Sequence, residues 1–110
     1  MVRIKMITLE DVLEMQVNDE PFTFVEALPR DHFDEGHLPG AVNIPLNQVD
    51  KLAPDLLDKG DTVVVYCASY ACKASTHVTR KLLELGYRNV LDYKGGKKEW
   101  KREGFKLETA

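Results

Sequence analysis

The sequence predicts an α/β fold with a mostly parallel sheet and helices on both faces. Three observations predict it. Short β-branched or aromatic runs alternate with amphipathic helical segments along the whole chain. One run, Val63-Val64-Val65-Tyr66, is continuously apolar, as a strand buried in an interior sheet must be. The pieces are joined by short Gly-, Pro- and Asp-bearing turns, with no repeat, linker or low-complexity tract.

Each element has a local reason. Val2 to Ile7 alternates weakly and is β-branched, which predicts a short edge strand. Thr8 follows as an N-cap with Asp11 three residues on, in a capping-box arrangement. Leu9, Val12, Leu13 and Val17 then recur at helical spacing, and the helix ends within Asn18 to Pro21. Phe22 to Val25 reads as an interior strand. Pro29 opens a short helical turn over Arg30 to Glu35, stopped at Gly36. Gly36-His37-Leu38-Pro39-Gly40 is a turn, Ala41 to Ile44 a strand, and Pro45 its end. Gln48 to Leu57 reads as a helix with Val49, Leu52 and Leu56 on one face. Gly60-Asp61 turns into the Val63–Tyr66 strand. Lys73 to Leu85 carries Ala74, Val78, Leu82 and Leu85 as one apolar stripe, closed by Gly86. Val90-Leu91 begins a last strand. Gly95-Gly96 leads into a helix over Lys97 to Glu103 anchored by Trp100, and Phe105 and Leu107 pack back after Gly104.

Composition bounds the function. The chain has 110 residues, the size of a single domain spanning 1–110. Its 44% apolar content is enough for one core and excludes a disordered chain. A net charge of −3 gives no ground for a nucleic-acid or membrane-surface partner. No apolar run is long enough to span a bilayer, and the N-terminal residues lack a signal peptide's apolar core. The expected location is therefore cytoplasmic, where cysteines are reduced thiols and more often chemical than structural.

The chemistry centres on Tyr66-Cys67-Ala68-Ser69-Tyr70-Ala71-Cys72-Lys73-Ala74-Ser75-Thr76. A buried strand stops at Cys67, small and polar residues follow, and a helix begins. Ligands of parallel α/β sheets sit outside the carboxyl ends of the strands, which is where this reading places Cys67. Unpaired amides of the loop and the helix N-terminus are expected to favour the Cys67 thiolate.

Four segments, in this order, resemble single-domain rhodaneses: Glu35-Gly36-His37-Leu38-Pro39-Gly40-Ala41-Val42-Asn43-Ile44-Pro45; Val63 to Cys67; Leu85-Gly86-Tyr87-Arg88-Asn89-Val90; and Lys94-Gly95-Gly96 with Trp100 and Gly104. The resemblance runs from about Phe22 to Leu107. It implies a rhodanese-like sheet of five strands and a sulfurtransferase in which Cys67 accepts a sulfane sulfur as a persulfide and passes it to a thiol or other nucleophile. The amides from Ala68 through Ser69, Tyr70, Ala71 and Cys72 to Lys73 would cradle the anionic sulfur, with no metal and no cofactor. The implied partners are a small sulfur donor and a thiol acceptor, an acceptor protein being a further option. The expected assembly is a monomer or homodimer. The loop departs from the family pattern: Tyr70 stands where glycine is common and Cys72 where arginine is common, Lys73 is its only cation, and Glu26-Ala27-Leu28 replaces an Asp-Val-Arg segment. A persulfide, polysulfide or protein-bound donor suits such a loop better than the thiosulfate dianion.

Other candidates carry a plainer reading beside the functional one. Cys67 is a reactive thiol or a small buried hydrophobe. Cys72 is a resolving thiol, releasing sulfide and leaving a Cys67–Cys72 disulfide, or a loop residue without a role. Lys73 attends an anion or points to solvent. Ser69, Tyr70, Ser75 and Thr76 offer hydroxyls or serve as loop and cap groups. His32 and His37, near Asp31, Asp34 and Glu35, lack metal-ligand spacing. His77 belongs on a solvated face. Lys94, Lys97, Lys98, Lys101 and Arg102 form a stripe that reads as a solvated helix face rather than a dock for an acidic acceptor. Two further function classes stand beside the transferase: a non-catalytic binding module, and an oxyanion phosphatase or arsenate reductase using Cys67 and Lys73.

Overall fold

A computed structural model describes residues 3–109. Five parallel strands form one sheet: β1 (Lys5–Ile7), β2 (Thr23–Glu26), β3 (Val42–Asn43), β4 (Thr62–Tyr66) and β5 (Asn89–Tyr93). Their spatial order is β1-β5-β4-β2-β3, so β4 is central. Every named strand pair is parallel; the antiparallel contact is an isolated bridge between His37 and Glu108. Of the expected edge strand, Val2 lies outside the described residues, and the pairing begins at Lys5.

Five α-helices cover the sheet: α1 (Leu9–Val17), α2 (Arg30–Glu35), α3 (Val49–Leu56), α4 (Ala74–Glu84) and α5 (Gly96–Arg102). The capping box at α1 forms as expected: Thr8 N–H donates to Asp11 Oδ2 (3.0 Å) and Asp11 N–H to Thr8 Oγ1 (3.1 Å). α4 ends in a Schellman motif at Gly86, whose φ of 100° needs a residue without a Cβ. Its two bonds run from Tyr87 N–H to the Leu82 carbonyl and from Gly86 N–H to the Leu83 carbonyl.

Side chains alternate across the buried strands and build two cores. One packs Val25, Val63, Val65 and Val90 against Val49 and Ala53 of α3 and Val78 and Leu82 of α4. The other packs Phe24, Val64, Tyr66 and Tyr93 against Leu9 and Val12 of α1 and Trp100 of α5. Phe24 and Trp100 meet edge to face at 5.9 Å, and Phe105 packs back on Trp100 at 4.8 Å.

Two expectations change. Leu56 is 45% exposed and Leu57 is buried in its place. The helix stops at Leu56, and extended backbone at Leu57 turns that side chain inward. β5 is longer than the expected Val90-Leu91 and includes buried Asp92. The Thr76 hydroxyl, from α4, donates to Asp92 Oδ2 at 2.6 Å and offsets part of the cost of burying that carboxylate, whose Oδ1 has no partner.

Candidate active site at the carboxyl end of the central strand

β4 delivers Cys67 to the carboxyl edge of the sheet, and the loop 67–73 climbs from it to α4. The neighbouring strands close in on both sides. Ala27 N–H, after β2, donates to the Tyr66 carbonyl at 2.9 Å. Tyr66 pairs in register with Tyr93, so the next residue of β5's exit, Lys94, arrives beside the loop. From the far side, α5 meets the loop head on: Lys97 N–H donates to the Cys67 carbonyl (3.0 Å) and Lys98 N–H to the Ala68 carbonyl (2.9 Å). A Cβ on Gly96 would stand 2.3 Å from the Cys67 carbonyl oxygen, so only glycine lets the two backbones approach this closely.

The two cysteines are both free, and they differ in access. Cys67 is 1% exposed and shares the core of α3 and α4. Its thiol donates to the Cys72 carbonyl at 3.4 Å. Cys72 lies above it, half-buried. Burial pushes the Cys67 thiol up, and the neighbouring Cys72 thiol pushes the same way; the Ser75 amide and hydroxyl pull it down without prevailing. Burial also raises Cys72, but its hydrogen bond with Cys67, the amides of Ala74 and Ala68, and the Lys94 ammonium together bring it below the ordinary thiol range. These directions run opposite to the expectation that the loop favours the Cys67 thiolate. In the reduced pair the Ala68 and Ala74 amides and the Lys94 ammonium act on Cys72, while the Ser75 amide acts on the more deeply buried Cys67.

The amides are selected as well. Cys72 N–H donates to the Ser69 carbonyl at 3.1 Å, closing a turn, and so does not face the sulfurs. The amides that do are at the loop's two ends: Ala68 and Ala74 towards Cys72, Ser75 towards Cys67. Ser75 is fully buried, and its hydroxyl has no well-directed hydrogen-bond partner; it faces the Cys67 sulfur. The middle of the loop points outward. Ala68, Tyr70, Ala71 and Lys73 are exposed, and Ser69 is half-buried.

Lys94 is the site cation that reading the loop alone missed. Its ammonium donates to the Cys72 carbonyl at 2.8 Å and lies 3.4 Å from Thr76 Oγ1. Lys97 is drawn elsewhere: its Nζ sits 2.9 Å from Glu26 Oε2 and donates to the carbonyls of Gly36 (2.7 Å) and His32 (3.0 Å). This contact is an ion pair, not a directed hydrogen bond. Tyr66 completes the cluster, donating to Glu26 Oε1 (2.7 Å) and accepting from Leu38 N–H (3.0 Å). Arg102 pairs with Glu99 and Glu103. The basic stripe is thus dispersed, and Lys98 and Lys101 remain with Lys97 along a groove beside α2.

His77 is exposed, as expected. His37 stacks on Phe33 (3.9 Å between centroids), and its Nδ1 donates to the Phe33 carbonyl at 2.9 Å, a use that fixes the turn. Among the described residues no three His, Cys, Asp or Glu side chains gather as a metal would require, and no helix is long and apolar enough to cross a membrane. A mixed-charge groove lined by Arg3, Lys5, Asp11, Glu14 and Arg88 opens at the amino ends of β4 and β5, the opposite end from Cys67, and neither cysteine lines it.

A parallel five-stranded α/β domain with a cysteine-bearing loop above its central strand is defined by these features. A family model described as a rhodanese-like domain matches residues 8–103, and the chain belongs to that family. It is 39% identical over 70 residues to the thiosulfate sulfurtransferase PspE of Escherichia coli, covering 63% of this chain and 64% of that protein. It is 33% identical over 94 residues to the adenylyltransferase and sulfurtransferase UBA4 of Meyerozyma guilliermondii, covering 79% of this chain and 22% of that one. The chain thus spans less than two thirds of either relative. The solution structure of a rhodanese-like domain from Anabaena superposes with a TM-score of 0.81 at 25% identity, covering 98% of this chain and 81% of the other.

Proposed function

We propose that the chain is a sulfurtransferase that holds a sulfane sulfur as a persulfide on Cys67. The observation that carries the reading is the arrangement around that sulfur. Cys67 ends the central strand of a rhodanese-like domain, with a second thiol above it and the Ser75 amide and unpartnered hydroxyl facing it. Sulfur transfer needs a thiolate to attack a sulfane sulfur, and then fixed donors for the anionic sulfur left behind. The Ser75 amide facing the Cys67 sulfur supports the second requirement. The names of the Escherichia coli and Meyerozyma relatives support the same activity class.

The donor best suited to the site is a persulfide or polysulfide. Lys73 is exposed and Lys94 is already bound to a carbonyl, so no pair of fixed cations awaits a dianion. The same lack of a planar bidentate fork disfavours a phosphatase or arsenate reductase. The acceptor is a thiol, and Cys72 stands where it can also resolve the persulfide to a disulfide. Exposure of the reduced protein to polysulfide, followed by intact mass measurement, tests the reading. It expects a gain of about 32 Da, one sulfur, removed by excess thiol. A folded protein that never gains the sulfur refutes it.

A further inference from the structure

We propose that Cys72 is the receiving thiol: sulfur from the donor lands first on Cys72 and is then handed down to Cys67. This rests on the sulfurtransferase reading and adds a second catalytic residue to it. The argument is access. A donor must bring its sulfane sulfur in line with the attacking sulfur. Cys67 is 1% exposed, lies below the loop, and has its thiol engaged with the Cys72 carbonyl. Cys72 is half-buried at the edge of the same core, flanked by exposed Ala71 and Lys73, with the Lys94 ammonium 2.8 Å from its carbonyl. The groups facing Cys72 are the Cys67 thiol from β4, the Ala68 and Ala74 amides, and Lys94 from the exit of β5. That environment favours the Cys72 thiolate.

The steps balance without an outside oxidant. The Cys72 thiolate attacks the outer sulfur of an alkyl persulfide, forming Cys72–S–SH and breaking the donor S–S bond; the departing alkyl thiolate takes the proton Cys72 gave up. Cys67 then attacks the outer sulfur of Cys72–S–SH. A bond forms to Cys67, the bond to Cys72 breaks, and the Cys67 proton passes to the Cys72 sulfur. Cys67 is suited to the second step, since the less acidic thiol is the intrinsically stronger nucleophile. Ser75 is suited to the product, since its buried hydroxyl faces the Cys67 sulfur and has no other hydrogen-bond partner.

The test is a time course of the reduced full chain with a limiting alkyl persulfide, quenched with iodoacetamide. Cleavage after Tyr70 separates the two cysteines. The extra sulfur is expected on the Cys72 fragment first and on the Cys67 fragment later. Cys72→Ser is expected to slow loading of Cys67 at least about tenfold at unchanged circular dichroism, because the buried thiol must then meet the donor itself. Cys67→Ser is expected to take up one sulfur and keep it on Cys72. Loading of Cys67 first, with Cys72→Ser at the wild-type rate and no sulfur on Cys67→Ser, overturns the receiving role while leaving the transferase reading standing. Failure of every form to gain sulfur overturns both.

Discussion

At the scale of single residues, the site is a contest over which sulfur the surroundings serve. Lys94 is the cation that weighs on it, beside the larger effects of the Cys67 hydrogen bond and the Ala74 and Ala68 amides. Its ammonium holds the Cys72 carbonyl and adds a positive charge near the Cys72 sulfur. Lys94→Met removes both, and a contact of this half-exposed kind is worth about 0.2–1 kcal/mol. The expected outcome is that alkylation of Cys72 near neutral pH slows by up to about fivefold, since 1 kcal/mol is about that factor. Lys94→Arg, which keeps the charge, restores most of the rate. The sign follows from the direction of the shift. A thiol below its ordinary range reacts at lower pH, and removing the cation moves its rate profile upward. A rate profile that does not move between wild type and Lys94→Met places the cause in the loop amides instead.

Elements act through the places where they lock against one another. α5 touches the reactive loop through backbone, and Gly96 is the hinge of that contact, with φ of 63°. A side chain there carries the cost of left-handed backbone, about 1–2 kcal/mol, and an overpacking cost of about 1–3 kcal/mol. Gly96→Ala is therefore expected to lower unfolding stability by about 2–5 kcal/mol, read from the urea midpoint, and to loosen Cys67, read as faster alkylation of the buried thiol. The second lock is the Glu26–Tyr66–Lys97 cluster joining β2, β4 and α5. Glu26 is 0% exposed and the Lys97 side chain 14%. Breaking one partner of such a buried pair leaves an uncompensated charge, so Lys97→Met is expected to cost about 3–5 kcal/mol in the same measurement.

Much of this element level was legible from sequence. Periodicity and punctuation found the strands, the capping box and the Gly86 stop, because those are local. Cys67 was found because a continuous β-branched run ended on it. What local pattern could not carry was register. Lys94 meets the loop because β5 pairs with β4, and buried Asp92 meets a hydroxyl donor because Thr76 reaches it from α4. The same cause hid the depth of Cys67 and the dispersal of the basic stripe. Strand order and helix docking decide both, and neither is written in any one segment.

At the scale of the whole molecule, both cores contain tyrosines that resist ionisation. Burial, the Glu26 charge and the hydrogen bond to Glu26 push the Tyr66 hydroxyl far up, and the amide of Leu38 opposes this only in part. Burial and then Glu99 do the same for Tyr93, whose hydroxyl donates to Glu99 Oε1 at 2.9 Å. In the other core, burial and then Asp58 and Asp61 raise Tyr87. In the unfolded chain each ionises near pH 10. Below that pH folded and unfolded chains hold the same tyrosine protons, and these groups leave stability flat. Above it the unfolded chain sheds protons the folded one keeps, so stability falls as pH rises. Each such group contributes a slope of about 1.4 kcal/mol per pH unit, or about 2.7 for Tyr66 and Tyr93 together. The urea midpoint is expected to be steady to about pH 9 and to drop steeply beyond about pH 10. Tyrosinate absorbance from the three buried rings is expected to rise together with the loss of far-ultraviolet circular dichroism. Tyr66→Phe, which removes the ionisable group but also an anchor of Glu26, is expected to begin less stable and to show a shallower alkaline slope. An alkaline slope equal to that of wild type assigns the pH dependence to groups outside the Glu26 cluster.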